Sequence, residues 1–326
     1  MSIWTFMDHG NLLLVNPQVS SSPFSTSFNS GHRSYSNETK QSEIASVPVL
    51  TNEFNKAKFL RQLEKKDYSG LIIHKFPNYL SHLDVPNKKQ AFFQTLIPSI
   101  IIALKEVKTE RGKLLQIAQK MSFQPVMTIS KKNISWKANL EKSEISFLLK
   151  MAKKYRSKEM SDLVNKVKGY PVSLILAQGA IESSWGTSRF AVEGNNVFGV
   201  WTWGEKGLVP KERDEGKTHK VAMYDSILDS VRAYILTLNR HYAYVDLRNY
   251  RLQTSDSLVL AEGLLSYSER REAYVDDVKQ VIESNNLQYY DSFQLTASPD
   301  KVIDFADISK QLADITAEKE MSLPSS

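Results

Sequence analysis

The sequence predicts an α+β chain that is mainly helical, and three observations carry the prediction. Apolar residues recur at helical spacing from Phe54 onward, strand-like alternation is confined to a stretch near Val221, and glycine and proline divide the helical stretches into short units. The 326 residues are 41% apolar, which suffices for a sizeable core in one or two domains. Lys plus Arg exceed Asp plus Glu by 42 to 36, a net charge of +6 that favours anionic partners without choosing among them. With no cysteine, disulfide frameworks, thiolate metal sites and cysteine nucleophiles are excluded.

Taken in order, residues 1–50 read as a disordered lead, because ten of the 27 residues from Ser20 to Ser46 are serine and little apolar surface is there to repay ordering. The first Lys or Arg is Arg33 and the run Leu12 to Val15 is four residues long, so this start does not read as a secretory signal. Residues 51–140 form a helical N-terminal region. Phe59, Leu60 and Leu63 share a face; beyond a loop at Pro77 and Pro86, a second helix carries Phe92, Phe93, Leu96, Ile97, Ile100, Ile101 and Leu104, with a kink expected at Pro98. The richest apolar run, Leu96 to Leu104, is nine residues long and includes Pro98, far short of the roughly 20 that span a bilayer. The basic stretch from Lys113 to Asn139 has little periodicity and reads as an internal connection.

Residues 141–290 hold the densest signals. After a helix with Ile145, Leu148, Leu149 and Ala152, Gly169 and Pro171 mark one helix stopping and another starting, the second burying Val172, Ile175, Leu176, Gly179 and Ala180. Residues 183–216 have no helical period, and the alternation around Val221, Met223 and Tyr224 suggests a short strand, one arm of a hairpin that begins near Gly207. Ser226 and Asp229 form a helix cap ahead of Ile227, Val231, Ile235 and Leu238; Asp256 caps a short helix; and Tyr274, Val275, Val278, Val281 and Ile282 mark a last one. Residues 291–326 read as a polar tail.

Glu182 falls seven residues after Ile175, which places its carboxyl near the apolar face at the negative end of a helix. Burial and the helix end both raise a carboxyl pKa, as a general acid requires near neutral pH. A paired or capping glutamate is the alternative. The small neighbours Gly179, Ala180 and Ser183 would leave room for a ligand. Trp185, Phe198, Trp201 and Trp203 lie within nineteen residues, interleaved with Gly186, Gly194, Asn195, Asn196 and Gly199. Aromatic faces beside amides suit sugar rings and acetamido groups, although a small aromatic core would look the same. Glycosidases use two carboxyls, so Glu205, Glu212 and Glu215 are candidates for the second, each otherwise a surface charge. Tyr267 and Tyr274 reach a cleft or cap a core. His219 and His241 lack metal-ligand spacing, no phosphate-loop or serine-hydrolase string is present, and neither a metal nor a cofactor is expected. The basic residues between Lys105 and Lys158 read as a polyanion-binding face or simply as solvated helix sides, and nucleic acid is not an expected partner because the aromatics cluster with asparagine and glutamate.

The string A-Q-G-A-I-E-S-S-W-G-T-S-R-F-A from Ala177, followed by G-N-N-V-F-G-V from Gly194, resembles the bacterial glucosaminidase family of peptidoglycan hydrolases, glycoside hydrolase family 73, and its Bax-type envelope proteins. Three further blocks extend the resemblance: V-P-K-E-R-D-E-G-K-T-H-K-V-A-M-Y-D-S from Val209, L-L-S-Y-S-E-R-R-E-A-Y-V from Leu264, and K-K-Q-A-F-F-Q-T-L-I-P from Lys88, so that coverage runs over roughly residues 75–290. The resemblance implies a lysozyme-like helical lobe and a small β-hairpin lobe with a cleft between them. It implies an endo-β-N-acetylglucosaminidase, without amidase activity, cutting the β-1,4 bond between N-acetylglucosamine and N-acetylmuramic acid. Glu182 would be the general acid, Glu212 of the K-E-x-x-x-G segment the second carboxylate, and Tyr274 an assisting residue. Trp185, Asn195, Asn196, Phe198, Trp201 and Tyr267 would bind substrate, with peptidoglycan strands as partner and the periplasm or envelope as location. Arg271 stands where the family often has glycine. A lytic transglycosylase is the competing enzyme, although G-N-N-V-F-G replaces its usual G-L-M-Q string, and an inactive glycan-binding envelope protein is the non-enzymatic alternative.

Overall fold

A computed structural model describes residues 74–121, 128–129, 139–210, 216 and 218–293, with the backbone also of 13–14, 71–73 and 301–303. It is mainly helical with a small antiparallel sheet, as expected. Nine α-helices are described: α1 Val85–Lys120, α2 Lys142–Lys154, α3 Met160–Lys166, α4 Val172–Glu182, α5 Arg189–Gly194, α6 Ile227–Arg240, α7 Val245–Gln253, α8 Ser257–Ala261 and α9 Glu272–Ser284. None of the described helices is long and apolar enough to cross a membrane.

At the centre lies α4, whose residues are buried on every side except at Ile181, the composition of a helix enclosed by others rather than laid on a surface. Around it pack α1, α8 and α9, and α6 reaches it through the Tyr234 hydroxyl, which donates to Gln178. Their apolar faces join one continuous core that takes in Phe92, Leu96 and Ile100 of α1, Val231 and Leu238 of α6, and Val275 and Val278 of α9. The N-terminal region is therefore part of the same packed body as the residues after 140, and the boundary expected there does not divide the core. The stretch read as a connection from Lys113 is helical as far as Lys120, because Leu114, Ile117 and Ala118 keep three- and four-residue spacing and are buried. Helix α1 also continues past Pro98, starting from an Asp84 side chain that accepts the Asn87 backbone N–H at 3.0 Å.

The capping signals read from sequence hold. Ser226 Oγ accepts the Asp229 N–H at 3.2 Å at the start of α6, and Asp256 Oδ1 accepts the Leu258 N–H at 2.9 Å at the start of α8. The start of α4 is capped from far along the chain: Asp291 accepts both the backbone N–H and the hydroxyl of Ser173, at 2.7 and 2.8 Å. Asp291 and Phe293, which joins the core, thus belong to the folded body and not to a tail.

The small sheet has strand order β1-β3-β5-β4, from β1 Leu13–Leu14, β3 Val200–Thr202, β4 Gly207–Leu208 and β5 Lys220–Ala222. The predicted hairpin is β4 with β5, in register Gly207 to Ala222 and Leu208 to Val221, and β3, which sequence reading left irregular, pairs on the other side of β5. Leu13–Leu14 pair with Val200 and Trp201. Those two residues of the lead are therefore in a strand, and the rest of residues 1–50 lies outside the described residues, as does the helical face of Phe59, Leu60 and Leu63. In the C-terminal stretch, β6 Lys301–Ile303 runs parallel to β2 Leu71–Ile73.

Candidate active site

Glu182 is the last residue of α4. Helix geometry ends there because the next residues reverse: Ser184, Trp185 and Gly186 all take positive φ, at 51°, 59° and 78°. Positive φ is unfavourable for the first two, and the turn is held by its own bonds. Ser183 Oγ donates to the Gly179 carbonyl at 2.5 Å and accepts the Gly186 N–H at 2.8 Å, while the Trp185 N–H reaches the Ala180 carbonyl at 2.8 Å. Gly186 is required on two counts, since a Cβ there would also lie 2.8 Å from the Phe76 ring.

The Glu182 side chain is 2% exposed, and neither carboxylate oxygen closes a well-formed hydrogen bond. Burial pushes its pKa up to about 8, opposed only by the Tyr274 hydroxyl. Such a carboxyl is protonated at neutral pH, which is the state a general acid needs and which an exposed or ion-paired glutamate would not keep. The capping alternative has no support here, because the oxygens cap nothing among the described residues.

Four buried tyrosines lie near enough to sense its charge. Tyr234 comes from α6, Tyr244 from the short 3-10 turn Tyr242–Tyr244, Tyr267 from the segment before α9, and Tyr274 from α9, all of them buried with pKa values raised chiefly by desolvation and further by Glu182. Tyr267 stacks on Tyr274 with centroids 5.2 Å apart and planes at 7°, and its hydroxyl donates to the Phe198 carbonyl at 3.3 Å. Gln178, one turn before Glu182 on α4, accepts a short hydrogen bond from Tyr234 and donates through Nε2 to the Tyr274 oxygen at 3.0 Å. Sequence reading found Tyr267 and Tyr274 but missed Gln178, Tyr234 and Tyr244. The signals were present: Gln178 is at i−4 from the acid, and Tyr234 interrupts the inward stripe of α6 with a polar group.

The remaining expected residues divide by what they touch. Asn196 is buried and locks the small sheet, accepting the Val200 N–H at 2.9 Å and donating to the carbonyls of Val200 and Ala222, both at 2.8 Å. Asn195 is the left-handed C-cap of α5 at φ 51°, with Nδ2 on the Tyr224 carbonyl at 3.0 Å. Phe198 is fully buried and stacks on Tyr234 at 3.9 Å; Trp201 stacks on His219 at 3.8 Å. Trp185 is half-buried, edge-on to Phe92 and Phe93, with Lys89 Nζ 4.8 Å over its ring. The space expected beside Gly179 is filled: a Cβ there would lie 2.8 Å from Leu96 Cδ2, so this glycine brings α1 against α4 and does not leave a ligand pocket. Trp203, at 40% exposure, is the open aromatic of the group. Glu212 and Glu215 lie outside the described residues. No group of three or more histidines and carboxylates that would hold a metal occurs among the described residues.

Residues 157–287 match the family model described as mannosyl-glycoprotein endo-beta-N-acetylglucosaminidase. Over those residues the chain is similar to the glucosaminidase family. That stretch holds Glu182, Gln178 and all four tyrosines, while α1 and Asp291 lie outside it yet pack on or cap its central helix. The chain is also similar to Protein bax of Escherichia coli (strain K12), 28% identical over 193 residues that make up 57% of this chain and 66% of that protein. It is 33% identical over 95 residues to Peptidoglycan hydrolase FlgJ of Salmonella typhimurium (strain LT2), covering 25% of this chain and 30% of that one. The match to Protein bax is longer than the stretch that the family model matches.

Proposed function

We propose that this protein is a peptidoglycan hydrolase, an endo-β-N-acetylglucosaminidase acting on the β-1,4 bond between N-acetylglucosamine and N-acetylmuramic acid. The observation that carries the reading is Glu182: a buried carboxyl with no ion pair, held protonated at neutral pH, inside the stretch similar to the glucosaminidase family. The name of the FlgJ relative supports peptidoglycan as the substrate.

In this mechanism Glu182 gives its proton to the glycosidic oxygen as the C1–O bond breaks, and the N-acetylmuramic acid residue departs as an alcohol at its O4. Charge developing on C1 of N-acetylglucosamine is met by a second carboxylate, for which Glu212 is the candidate, and water supplies the hydroxyl that completes the new reducing end. The Tyr274 hydroxyl stabilises the Glu182 carboxylate left behind. Trp185, half-buried beside the acid, is the substrate contact we assign first among the six expected. Asn195, Asn196, Phe198, Trp201 and Tyr267 then serve binding by fixing the small sheet and the tyrosine wall, and the glycan substrate places the protein in the envelope.

Digestion of purified peptidoglycan by the full chain, with released ends read by mass spectrometry, tests this. Reducing N-acetylglucosamine ends from the parent and none from Glu182→Gln are expected, with Glu212→Gln losing most of the activity. Anhydro ends would make the protein a lytic transglycosylase, and no release by folded parent protein would leave a glycan-binding role.

A further inference from the structure

The hydrogen bonds behind Glu182 have a direction, and Gln178 sets it. Its Oε1 accepts the Tyr234 hydroxyl, and its Nε2 donates to the Tyr274 oxygen at 3.0 Å. A phenol oxygen that accepts from an amide N–H turns its own hydrogen elsewhere. Neither oxygen of Glu182 has a hydrogen-bond partner among the described residues, and Tyr274 is the side chain that favours the charged form of that glutamate, so the Tyr274 hydrogen is the one available to the carboxylate once its proton has left. Gln178 itself is fully buried on the same face of α4 as Glu182, four residues earlier, so α6, α4 and α9 are tied together at this one amide. Reversing the amide would present an acceptor to Tyr274, draw its hydrogen away from Glu182, and set an N–H against the Tyr234 hydroxyl.

We infer that Gln178 is a positioning residue that polarises Tyr274 toward Glu182, through the directed chain Tyr234 to Gln178 to Tyr274 to Glu182. The inference rests on the reading of Glu182 as the acid, and it explains how a site built to keep a carboxyl protonated also tolerates the carboxylate after the proton has left. Chains of hydrogen bonds strengthen one another, so losing the amide weakens the last bond without touching it. Among the described residues, the titratable groups that sense Glu182 are Tyr234 from α6, Tyr244 from the 3-10 turn after it, Tyr267 from the segment before α9, and Tyr274 from α9, all neutral.

The test reads Glu182 directly and does not depend on turnover. The side-chain carboxyl of Glu182 is followed by carbon-13 NMR through a pH titration of the full chain, with Glu182→Gln used to assign the signal. Gln178→Met and Tyr274→Phe are each expected to move the titration upward, by about one pH unit for loss of a hydrogen bond to a charged group, and the double variant is expected to move it no further than Tyr274→Phe alone. If Gln178→Met does not fold, Tyr234→Phe, which frees the amide to reverse, is read in its place and is expected to move the titration the same way. An unmoved titration in the Gln178 variant, or in Tyr234→Phe where that substitutes for it, would overturn the inference. So would additive displacements in the double variant. An inactive parent with these displacements would defeat the proposed function while leaving the hydrogen-bond chain intact.

Discussion

Glu182 carries two opposite consequences at the scale of a residue. Its pKa of about 8 in the fold, against 4.5 for an ordinary glutamate, means the folded chain holds a proton that the unfolded chain releases. The stability this contributes is complete below about pH 4.5 and is eroded as pH rises through 8, so the parent should lose on the order of a few kcal/mol from this group between pH 5 and pH 9. Glu182→Gln should lose less over that range, measured as urea midpoints at the two pH values, and the two chains should diverge most at the alkaline end. Arg271 is a second residue under strain, with φ 48° and ψ −112° just ahead of the helix that carries Tyr274. That backbone suits glycine, the residue the glucosaminidase resemblance often places there, so Arg271→Gly should raise the melting temperature, with a gain of about 1 kcal/mol. Of the candidate site, Glu182 and the Tyr267–Tyr274 pair are legible in sequence because each sits in a distinctive string at helical spacing. Gln178 is not, since an amide on an otherwise apolar helix shows its role only when two tyrosines from distant segments arrive on either side of it.

The elements around the site are joined by contacts that single positions control. Gly263 lies where the backbone of α7 passes: a Cβ there would fall 2.3 Å from Leu247 Cα and 2.6 Å from its nitrogen. No side-chain rotation relieves a clash with backbone, so Gly263→Ala should destabilise by about 3 kcal/mol or more, seen as a lowered denaturation midpoint. Asp291 holds the first turn of α4 by two bonds, and Asp291→Ala should lose about 1 to 2 kcal/mol in the same measurement. Local caps such as Ser226 with Asp229 were readable because donor and acceptor are three residues apart; the Asp291 cap was not, because 118 residues separate it from Ser173. In the same way the β4–β5 hairpin showed through the alternation that runs on from Val221 to Met223 and Tyr224, whereas β3, equally short, lies in a glycine- and asparagine-rich stretch with no alternation around it.

At the scale of the molecule, residues 157–287, the stretch similar to the glucosaminidase family, are not a closed body. Helix α1 lays Phe92, Phe93, Leu96 and Ile100 onto α4 and Trp185, and these contacts lie outside the family match. A fragment confined to residues 157–287 should therefore expose the apolar side of α4 and aggregate, while one spanning 71–303 should unfold cooperatively; calorimetry and light scattering separate the two results. The sequence reading drew a boundary near residue 140 because the basic stretch before it lacks periodicity, and only the packing of Leu96 into Gly179 reveals that the two sides share a core. The proposed function requires that the buried carboxyl does acid chemistry on a glycan. The most direct measurement is the rate of peptidoglycan cleavage by the full chain as a function of pH, with Glu182→Gln beside it. A rate that declines as pH rises through about 8, and that Glu182→Gln abolishes, is the predicted result. Cleavage that persists in Glu182→Gln, or that continues to rise well above pH 8, would contradict it.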